Sequence, residues 1–242
     1  MSVSSPHPSP RLAEHVRACR VADQIIFLDL ARGKYIGLAG PRIVALSNAL
    51  LGEPSDDGTR PASLGPHFDD EWLARLRAQH LLSDAPVVAP PPSVPGLPEA
   101  VATLDIDDDR VTRGDWRALA RLWRATFVSA AWLRRRSLAD IADRIAALRT
   151  RRAQRGDPAP ETMHAAAARY MRLRPFALTS HDRCLDDSLA MTLFLAGQGL
   201  FPRWVIGVKT HPFGAHSWVQ SGGVVLNDLP ERVRRYRPIL VV

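Results

Sequence analysis

The sequence predicts an α+β protein of two domains joined by a proline-rich linker. Up to residue 84, strand-like stretches precede short amphipathic helices. Residues 85–98 (APVVAPPPSVPGLP) contain six prolines, which exclude a helix or an interior strand because each proline removes a backbone donor and fixes φ. Beyond them, helical patterns come first and strand patterns last. We therefore expect a disordered tail (1–10), a first domain (11–84), a linker (85–98) and a second domain (99–242).

Composition is typical of a globular protein. The chain has 242 residues, of which 46% are hydrophobic, enough for a packed core. Two cysteines exclude a disulfide-rich scaffold, and no paired His/Cys spacing indicates a metal site. The N-terminal MSVSSPHPSP lacks the apolar core of a secretory signal, and the longest apolar run is too short to span a bilayer. We expect a cytoplasmic protein without a membrane partner.

The net charge of +7 is unevenly distributed. Up to Pro90 there are 9 Lys/Arg and 10 Asp/Glu, whereas the remainder has 23 and 15. The basic residues form three clusters, Arg134–Arg136, Arg149–Arg155 and Arg232–Arg237, on patterns for which a solvated face is sufficient explanation. Since the first domain is the acidic one, a nucleic-acid partner is not expected.

The first domain begins with three strand patterns, HVRACRVA, QIIFLDL and KYIGLA, which predict an antiparallel meander. From Pro41, PRIVALSNALL predicts a short helix with proline near its first position. EWLARLRAQHLL (71–82) predicts a second helix with one apolar face. Cys19, at a strand position, is expected in the core.

The second domain begins with three helical patterns, GDWRALARLWRATFVSAAWLRRR, SLADIADRIAALRTRR and ETMHAAAARYMRLRPF. Ser137 and Asp140 have the spacing of a capping box at the start of the second pattern. FPRWVIGV, nearer the C-terminus, predicts a strand that is buried on both faces. The first helix has an apolar stripe that we expect in the core: Trp116, Leu119, Leu122, Trp123 and Phe127.

A further helix pattern, ended by glycine, begins near Cys184. Ser180 or Asp182 is expected as its N-cap. Cys184 then lies in the first turn, where free backbone N–H groups and the helix dipole favour a thiolate. The charges of Asp186 and Asp187 oppose a thiolate, so it requires a cationic partner.

AHSWVQ, SGG and VVLND predict a strand, a turn and a second strand. With a three-residue loop, Ser221–Gly223, His216 lies opposite Asp228 with Cβ atoms roughly 5 Å apart. That separation lets a carboxylate orient an imidazole. A two-residue loop shifts the register by one and sets Asn227 or Leu229 opposite His216, and Asn227 also permits a Cys–His–Asn arrangement.

The candidate catalytic residues are therefore Cys184, His216 and Asp228. Each type alone is more often structural, since a single buried cysteine usually acts as a small hydrophobic residue. Two other histidines compete for the role of base: His164 on the third helix, and His181, which is too near the cysteine in sequence to be positioned freely.

Three stretches carry a family resemblance: RCLDDSLAMTLFLAGQGLFPRWVIGV, HPFGAHSWVQ and GGVVLND. A cysteine at a helix start, with histidine and aspartate on following strands, resembles the transglutaminase-like (papain-related) cysteine enzymes. The three stretches together resemble the lasso-peptide biosynthesis B proteins, which are leader peptidases. The resemblance is strongest over about the last 60 residues.

The first domain resembles the winged-helix-like, PqqD-like recognition domains of ribosomal peptide biosynthesis. Those domains bind a leader peptide as an extra strand at a sheet edge, against a helix. The resemblance implies that KYIGLA is this edge, although an ordinary α+β domain whose edge binds nothing is the alternative. The implied leader-binding residues are Lys34, Tyr35, Ile36, Leu38, Trp72, Leu73 and Leu76.

The family resemblance implies that the leader–core bond of a precursor peptide is hydrolysed through a cysteine thioester. It also implies a partner, an ATP-using, asparagine-synthetase-like cyclase that closes the lasso ring. ATP dependence of the peptidase step is known in some members, but no G-x-x-x-x-G-K-[ST] motif is present, and no bound cofactor is evident. Acyl transfer by the same three residues and a non-catalytic peptide-binding adaptor are the alternatives.

Overall fold

A computed structural model describes residues 11–40, 43–51, 70–83, 96–105, 116–153, 159–177 and 183–242. The chain divides into two compact units, Met1–Pro95 and Gly96–Val242. The boundary falls within the proline-rich segment. The N-terminal tail and most of the linker lie outside the described residues, so both assignments stay predictions.

The first unit is built on a three-stranded antiparallel sheet. A two-residue strand β1 (Arg11–Leu12) precedes β2 (Val16–Val21), β3 (Gln24–Asp29) and β4 (Lys34–Ala39). β3 lies in the middle of the sheet, and its residues 25–28 are at most 1% exposed. The predicted meander is confirmed, and β4 is an edge strand within the described part of this sheet.

Helices α1 (Ile43–Leu51) and α2 (Asp70–Ala78) share an apolar core with this sheet. The sequence predicts that the second helix runs to Leu82, but Leu82–Ser83 form strand β5, which pairs with β1. α2 ends earlier because His80 adopts a left-handed φ of 59°. The N–H of Leu81 then bonds the carbonyl oxygen of Leu76, as in a Schellman motif.

The second unit combines a mixed sheet with helices. It contains β6 (Ala102–Thr103), α3 (Trp116–Arg135), α4 (Leu138–Ala153), α5 (Pro160–Leu173), a 3₁₀ turn (Arg174–Phe176), α6 (Cys184–Ala196), β7 (Arg203–Lys209), β8 (Gly214–Ser221), β9 (Val224–Val225), α7 (Pro230–Val233) and β10 (Arg237–Val241). The strand order is β10-β7-β8-β9-β6, with β6 parallel to β9 and the other described pairs antiparallel. The sequence analysis predicts the helices, α6, β7 and the β8–β9 hairpin, but not β6, α7 or β10.

Helix α6 lies at the centre of this unit. Residues 187–192 and 194–195 of α6 are all buried, and the helix packs against α3, α5, β7 and β8. β7 is buried from Trp204 to Val208, which confirms the predicted buried strand. The N-terminus of α6 carries Cys184, and the neighbouring strand β8 carries His216.

The prediction for the apolar face of α3 is wrong. Leu122 is fully buried, but Trp116, Trp123 and Phe127 are 64%, 53% and 77% exposed. The face of α3 that packs inward carries mostly small residues: Ala118, Ala125 and Ser129 beside Leu122. Small side chains let α3 approach α6 closely, whereas the helical period alone does not tell which of two apolar faces is buried.

Two local features match the sequence analysis. The N–H of Asp140 donates to Oγ of Ser137 at 3.1 Å, and the N–H of Ser137 donates to Oδ2 of Asp140 at 3.3 Å, so the predicted capping box is confirmed. Cys19 is 6% exposed in the core of the first unit. Among the helices of the described residues, none is both long and apolar enough to span a membrane.

Adjacent residues of α3 should differ sharply in their effect on stability. We expect Leu122→Ala to lower the free energy of unfolding by about 2–5 kcal/mol because it leaves a cavity. Trp123→Ala, the matched control on the exposed face, should change it by less than about 0.5 kcal/mol. Urea unfolding followed by far-UV circular dichroism measures both. A larger loss for Trp123→Ala would mean that the aromatic face is buried after all.

Candidate active site

Cys184 is the first residue of α6. Arg183 occupies the N-cap position, and its side chain makes no capping hydrogen bond. The predicted N-caps, Ser180 and Asp182, are therefore wrong, and both lie outside the described residues. The thiol of Cys184 is half-buried at a helix start, where free N–H groups and the helix dipole favour a thiolate.

A buried polar contact attaches this helix to the sheet. Ser188, one turn after Cys184, has its Oγ 2.7 Å from Oγ of Ser217 on β8. Oγ of Ser188 also accepts a hydrogen bond from Nε1 of Trp204, and the Ser217 hydroxyl donates to the carbonyl oxygen of Val205. Both serines are at most 2% exposed. Satisfied buried polar groups of this kind fix the offset between two elements, here between Cys184 and the residue before Ser217.

That residue is His216, which is 8% exposed. Its Nε2 lies 2.5 Å from Oδ2 of Asp228. A second side-chain hydrogen bond joins the imidazole to the thiol of Cys184, and because Asp228 occupies Nε2, the atom left for the thiol is Nδ1. Cys184, His216 and Asp228 thus form a continuous hydrogen-bonded chain.

The register of the hairpin that carries His216 differs from the prediction. The loop between β8 and β9 has two residues, and Ser221 pairs with Val224. Gly222, at the first loop position, has a φ of 56°, the left-handed region that the favoured two-residue turns require because their twist matches that of the strands. The predicted direct pairing of His216 with Asp228 is therefore wrong.

Asp228 instead reaches His216 from beyond the end of the strand ladder. The paired part of β9 ends at Val225. Oδ1 of Asp228 accepts the N–H of Leu229 at 2.8 Å, and the carbonyl oxygen of Asp228 accepts the hydroxyl of Thr103 at 3.1 Å. These contacts leave Oδ2 directed at the imidazole.

Asn227, the alternative third residue, has other hydrogen-bond partners. Its Oδ1 accepts the N–H of Val219 at 2.8 Å, and its Nδ2 donates to Oδ2 of Asp187 at 3.2 Å. The side-chain partner of His216 at this point of the loop is thus the carboxylate of Asp228 and not the amide of Asn227.

The pKa shifts of Cys184, His216 and Asp228 favour the charged form of each group. The hydrogen bond from His216 lowers the pKa of Cys184 although burial opposes a thiolate. Burial disfavours an imidazolium, but the hydrogen bonds with Asp228 and Cys184 outweigh it and raise the pKa of His216 to about 9. Burial raises and the His216 hydrogen bond lowers the pKa of Asp228, with a net decrease. His216 therefore favours the imidazolium below about pH 9, and Cys184 becomes a thiolate at a lower pH than an ordinary thiol, so the two shifts together favour a thiolate–imidazolium pair.

Two aromatic rings cover the imidazole. Trp218 lies nearly parallel to His216 with ring centroids 6.2 Å apart, and Tyr236 lies 5.2 Å away. A Cβ at Gly207, opposite His216 on β7, would be 2.8 Å from the Trp218 ring and 2.9 Å from Cβ of Tyr236. Glycine at this position is what lets both rings approach. Tyr236 and Gly207 are not among the residues predicted from the sequence, because no local pattern marks them.

Of the two competing bases, only His164 lies among the described residues, and it is not part of this hydrogen-bonded chain. His164 is half-buried on α5, and the imidazole that bonds the thiol is that of His216. His181 lies outside the described residues. Within the ranges that the structure describes, no group of three His, Cys, Asp or Glu side chains is arranged to hold a metal.

The strand residues predicted to bind a leader peptide lie on the edge strand β4. Lys34 is exposed, while Tyr35, Ile36 and Leu38 are half-buried. The positions fit an edge that a further strand could join, but they establish no ligand.

The helix residues predicted for the same role are less accessible. Leu73 and Leu76 are 8% and 3% exposed, and Ile36 and Leu38 pack against the core cluster that contains them. They can support a groove but offer little surface to a ligand. The side chain of Trp72 lies outside the described residues.

Comparison with known proteins agrees with this site. Residues 123–241 match the family described as the Transglutaminase-like superfamily, so they form a transglutaminase-like domain. The chain is also 47% identical over 47 residues to the "Microcin J25-processing protein McjB" of Escherichia coli, a match that covers 19% of this chain and 23% of that protein. The expected resemblance to lasso-peptide biosynthesis B proteins is thereby confirmed. No solved structure matches the chain.

The hydrogen bond between His216 and Cys184 should control the reactivity of the thiol. We expect iodoacetamide to alkylate Cys184 with a pH midpoint below the usual thiol value of about 8.5, because His216 lowers its pKa. His216→Ala should move the midpoint up to that value. Peptide mapping by mass spectrometry separates Cys184 from the buried Cys19, which serves as the slow internal control. Identical profiles for the two proteins would show that His216 does not act on the thiol.

Proposed function

We propose that this chain is a leader peptidase of lasso-peptide maturation, in which the transglutaminase-like domain hydrolyses the bond between the leader and the core of a precursor peptide. The observation that carries the proposal is the hydrogen-bonded chain from Cys184 through His216 to Asp228. The partial match to a microcin J25-processing protein supports a ribosomal precursor peptide as the substrate class.

In the first half of the reaction, the Cys184 thiolate attacks the carbonyl carbon of the last leader residue. A C–S bond forms and the carbonyl oxygen takes the negative charge. When this intermediate collapses, the C–N bond breaks and the imidazolium of His216 gives its proton to the leaving amine. That amine is the new N-terminus of the core peptide, and the leader stays on the enzyme as a thioester.

In the second half, water resolves the thioester. His216, now neutral, takes a proton from the water as it attacks the thioester carbonyl. Breakage of the C–S bond frees the leader as a carboxylic acid and restores the thiolate–imidazolium pair. Asp228 holds the imidazole in its tautomer and orientation throughout. Trp218 and Tyr236 limit the access of water to the ring.

The start of α6 provides a donor for the oxyanion. The N–H of Asp187 is bonded to the carbonyl oxygen of Arg183, whereas the N–H of Cys184 precedes the first bond of the helix and has no intrahelical acceptor. We assign this N–H to the negatively charged oxygen of the tetrahedral intermediate.

In this proposal the first unit binds the leader as a PqqD-like recognition domain. The supporting observation is the edge position of β4, beside a core to which α2 contributes. A leader that adds to this edge gains backbone hydrogen bonds from β4 and side-chain contacts with Ile36 and Leu38. Tethering two sites in one chain raises the effective concentration of substrate at the cysteine.

The free amine of the core defines the reaction that follows. We propose an ATP-using cyclase of the asparagine-synthetase type as the partner, joining this amine to a side-chain carboxylate. Any ATP dependence of the cleavage step belongs to that partner or to a nucleotide site that is not yet placed.

The direct test is cleavage of a lasso-peptide precursor that still carries its leader. The wild type should cut one bond, Cys184→Ala should be inactive because the nucleophile is lost, and His216→Ala should lose about 10²- to 10⁴-fold, the usual contribution of a general acid–base group. Mass spectrometry of the leader product distinguishes a free acid, expected for hydrolysis, from an amide formed by acyl transfer. Cys19→Ala is the matched control and should keep full activity. Normal cleavage by Cys184→Ala would favour the adaptor alternative.

Leader binding should depend on β4 and not on the opposite edge strand β2. Leu38→Asp should weaken the affinity for a fluorescent leader peptide by about tenfold or more, because an added strand would bury the new carboxylate. Val21→Asp places the same charge on a half-buried position of β2 and should leave affinity unchanged. Fluorescence anisotropy with the full chain measures both, and circular dichroism checks their folding. Equal affinities would show that the leader does not bind at β4.

A further inference from the structure

We propose that Asp187 is a positioning residue of the active site, whose carboxylate orients Asn227 and thereby sets Asp228 against His216. The inference rests on the proposed function, because a positioning role presupposes a working Cys184–His216 pair. At the level of sequence, Asp187 is only a charge that opposes the thiolate.

The carboxylate of Asp187 is buried and fully engaged. Asp187 is 4% exposed. Its Oδ1 accepts the hydroxyl of Tyr170 at 3.0 Å and Nε of Arg174 at 3.0 Å, and its Oδ2 accepts Nδ2 of Asn227 at 3.2 Å. Burying a carboxylate costs free energy unless such partners compensate, and here burial still raises the pKa of Asp187. The positive charge of Arg174 partly neutralises the Asp187 carboxylate. Asp187 therefore opposes the Cys184 thiolate less than the sequence suggests.

Asn227 links this carboxylate to the strand that carries the imidazole. While its Nδ2 faces Asp187, its Oδ1 accepts the N–H of Val219 on β8. An amide has one donor end and one acceptor end, so these two partners admit one orientation of the side chain. The loop is held in this way between α6 and β8, immediately before Asp228.

The contacts of Asp187 therefore join the three parts of the candidate site. Asp187 lies one turn after Cys184 on α6, Val219 lies on the same strand as His216, and Asn227 is the neighbour of Asp228. Because the strand pairing of β9 ends at Val225, it does not fix the position of Asp228. The hydrogen bonds of the Asn227 amide position Asp228 instead, and Asp187 holds this amide in its orientation.

An ion pair with Arg174 that merely stabilises the fold is the competing explanation. It predicts a loss of stability on substitution but no change in how His216 or Cys184 titrates. The charged and titratable groups to be considered are Tyr170 and Arg174 facing Asp187, Asp228 across the loop, and Arg232, 3.9 Å from Oδ1 of Asp228.

Asp187→Asn tests the two explanations with little change of shape. If the new amide keeps its oxygen toward Tyr170 and Arg174, its NH₂ faces the NH₂ of Asn227. If Asn227 then turns over, its NH₂ faces the N–H of Val219. Two donors oppose each other in either case, so Asp228 should lose its fixed position.

We expect kcat/KM for precursor cleavage to fall by about 10- to 100-fold in Asp187→Asn. Losses of about this size are typical when a group that orients a functional side chain by a hydrogen bond is removed, as is known for the groups that orient metal ligands. The sign of the pH effect follows from the hydrogen bond of Asp228, which helps raise the pKa of His216 to about 9. A looser hydrogen bond lowers this pKa, so activity should decline at a lower pH than in the wild type. The pH midpoint for alkylation of Cys184 by iodoacetamide should move upward.

Two further variants serve as controls. Asp186→Asn removes a neighbouring carboxylate that makes no contact with Asn227 in the described hydrogen bonds. It should therefore keep the wild-type kcat/KM and the wild-type decline of activity at high pH, and the loss of a charge that opposes the thiolate should move the alkylation midpoint of Cys184 down, not up. The double change Asp187→Asn with Asn227→Asp exchanges donor and acceptor between the two positions. The amide at 187 can then donate to the carboxylate at 227, which still accepts the N–H of Val219. We therefore expect kcat/KM, the decline of activity at high pH and the alkylation midpoint of Cys184 to return toward the wild-type values.

The outcomes separate this inference from the proposed function. If Cys184 in the wild type alkylates like an ordinary thiol and Cys184→Ala still cleaves the precursor, the proposed function itself fails, and the inference with it. A second outcome is that the wild type behaves as expected while Asp187→Asn keeps the wild-type kcat/KM, the wild-type decline of activity at high pH and the wild-type alkylation midpoint of Cys184. In that case the positioning role is wrong and the proposed peptidase function stands. An equal fall in kcat/KM together with an equal upward shift of the alkylation midpoint in Asp186→Asn would show that neither effect depends on Asn227, and would also overturn the inference.

Discussion

The buried contact between Ser188 and Ser217 is the constraint on which the candidate site depends. It fixes how far along β8 the helix α6 sits, and thereby brings the first residue of the helix to the residue before Ser217. α6 has almost no polar face, so α3, α5 and the sheet must cover it. The hydroxyls of Ser188 and Ser217 inside this apolar packing have partners, which gives the contact a defined geometry.

A second constraint is the burial of charge beside that contact. His216 can carry a proton in a mostly buried position because its hydrogen bonds with Asp228 and Cys184 outweigh the cost of burial beneath the aromatic rings. The cost of burying three ionisable groups is offset by hydrogen bonds between them. Glycine at position 207 is part of the same arrangement, since a side chain there would push the rings away.

The surface of the second unit shows how packing overrides hydrophobicity. α3 turns alanine, serine and one leucine toward α6 and leaves three of its four large aromatic residues exposed: Trp116, Trp123 and Phe127. Distance between helix axes is set by the side chains at the contact, so a helix that must come close to α6 buries small residues. In the first unit the helices place leucines against the sheet, as amphipathic periodicity predicts.

The sequence by itself determined the local elements: the meander of the first unit, the long helices, the capping box at Ser137, a helix with the cysteine in its first turn, and a hairpin with the histidine on its first strand. These follow from periodicity, capping and turn residues, which act over a few neighbours. The roles of Cys184, His216 and Asp228 were inferred from the sequence too, and they stay a proposal. Only the tertiary structure decided that Gly222 closes a two-residue loop, that Asp228 reaches the imidazole from beyond the ladder, and that Asp187, Tyr236 and Gly207 surround the site. Those features depend on side chains far apart in the chain, whose distances no local pattern encodes.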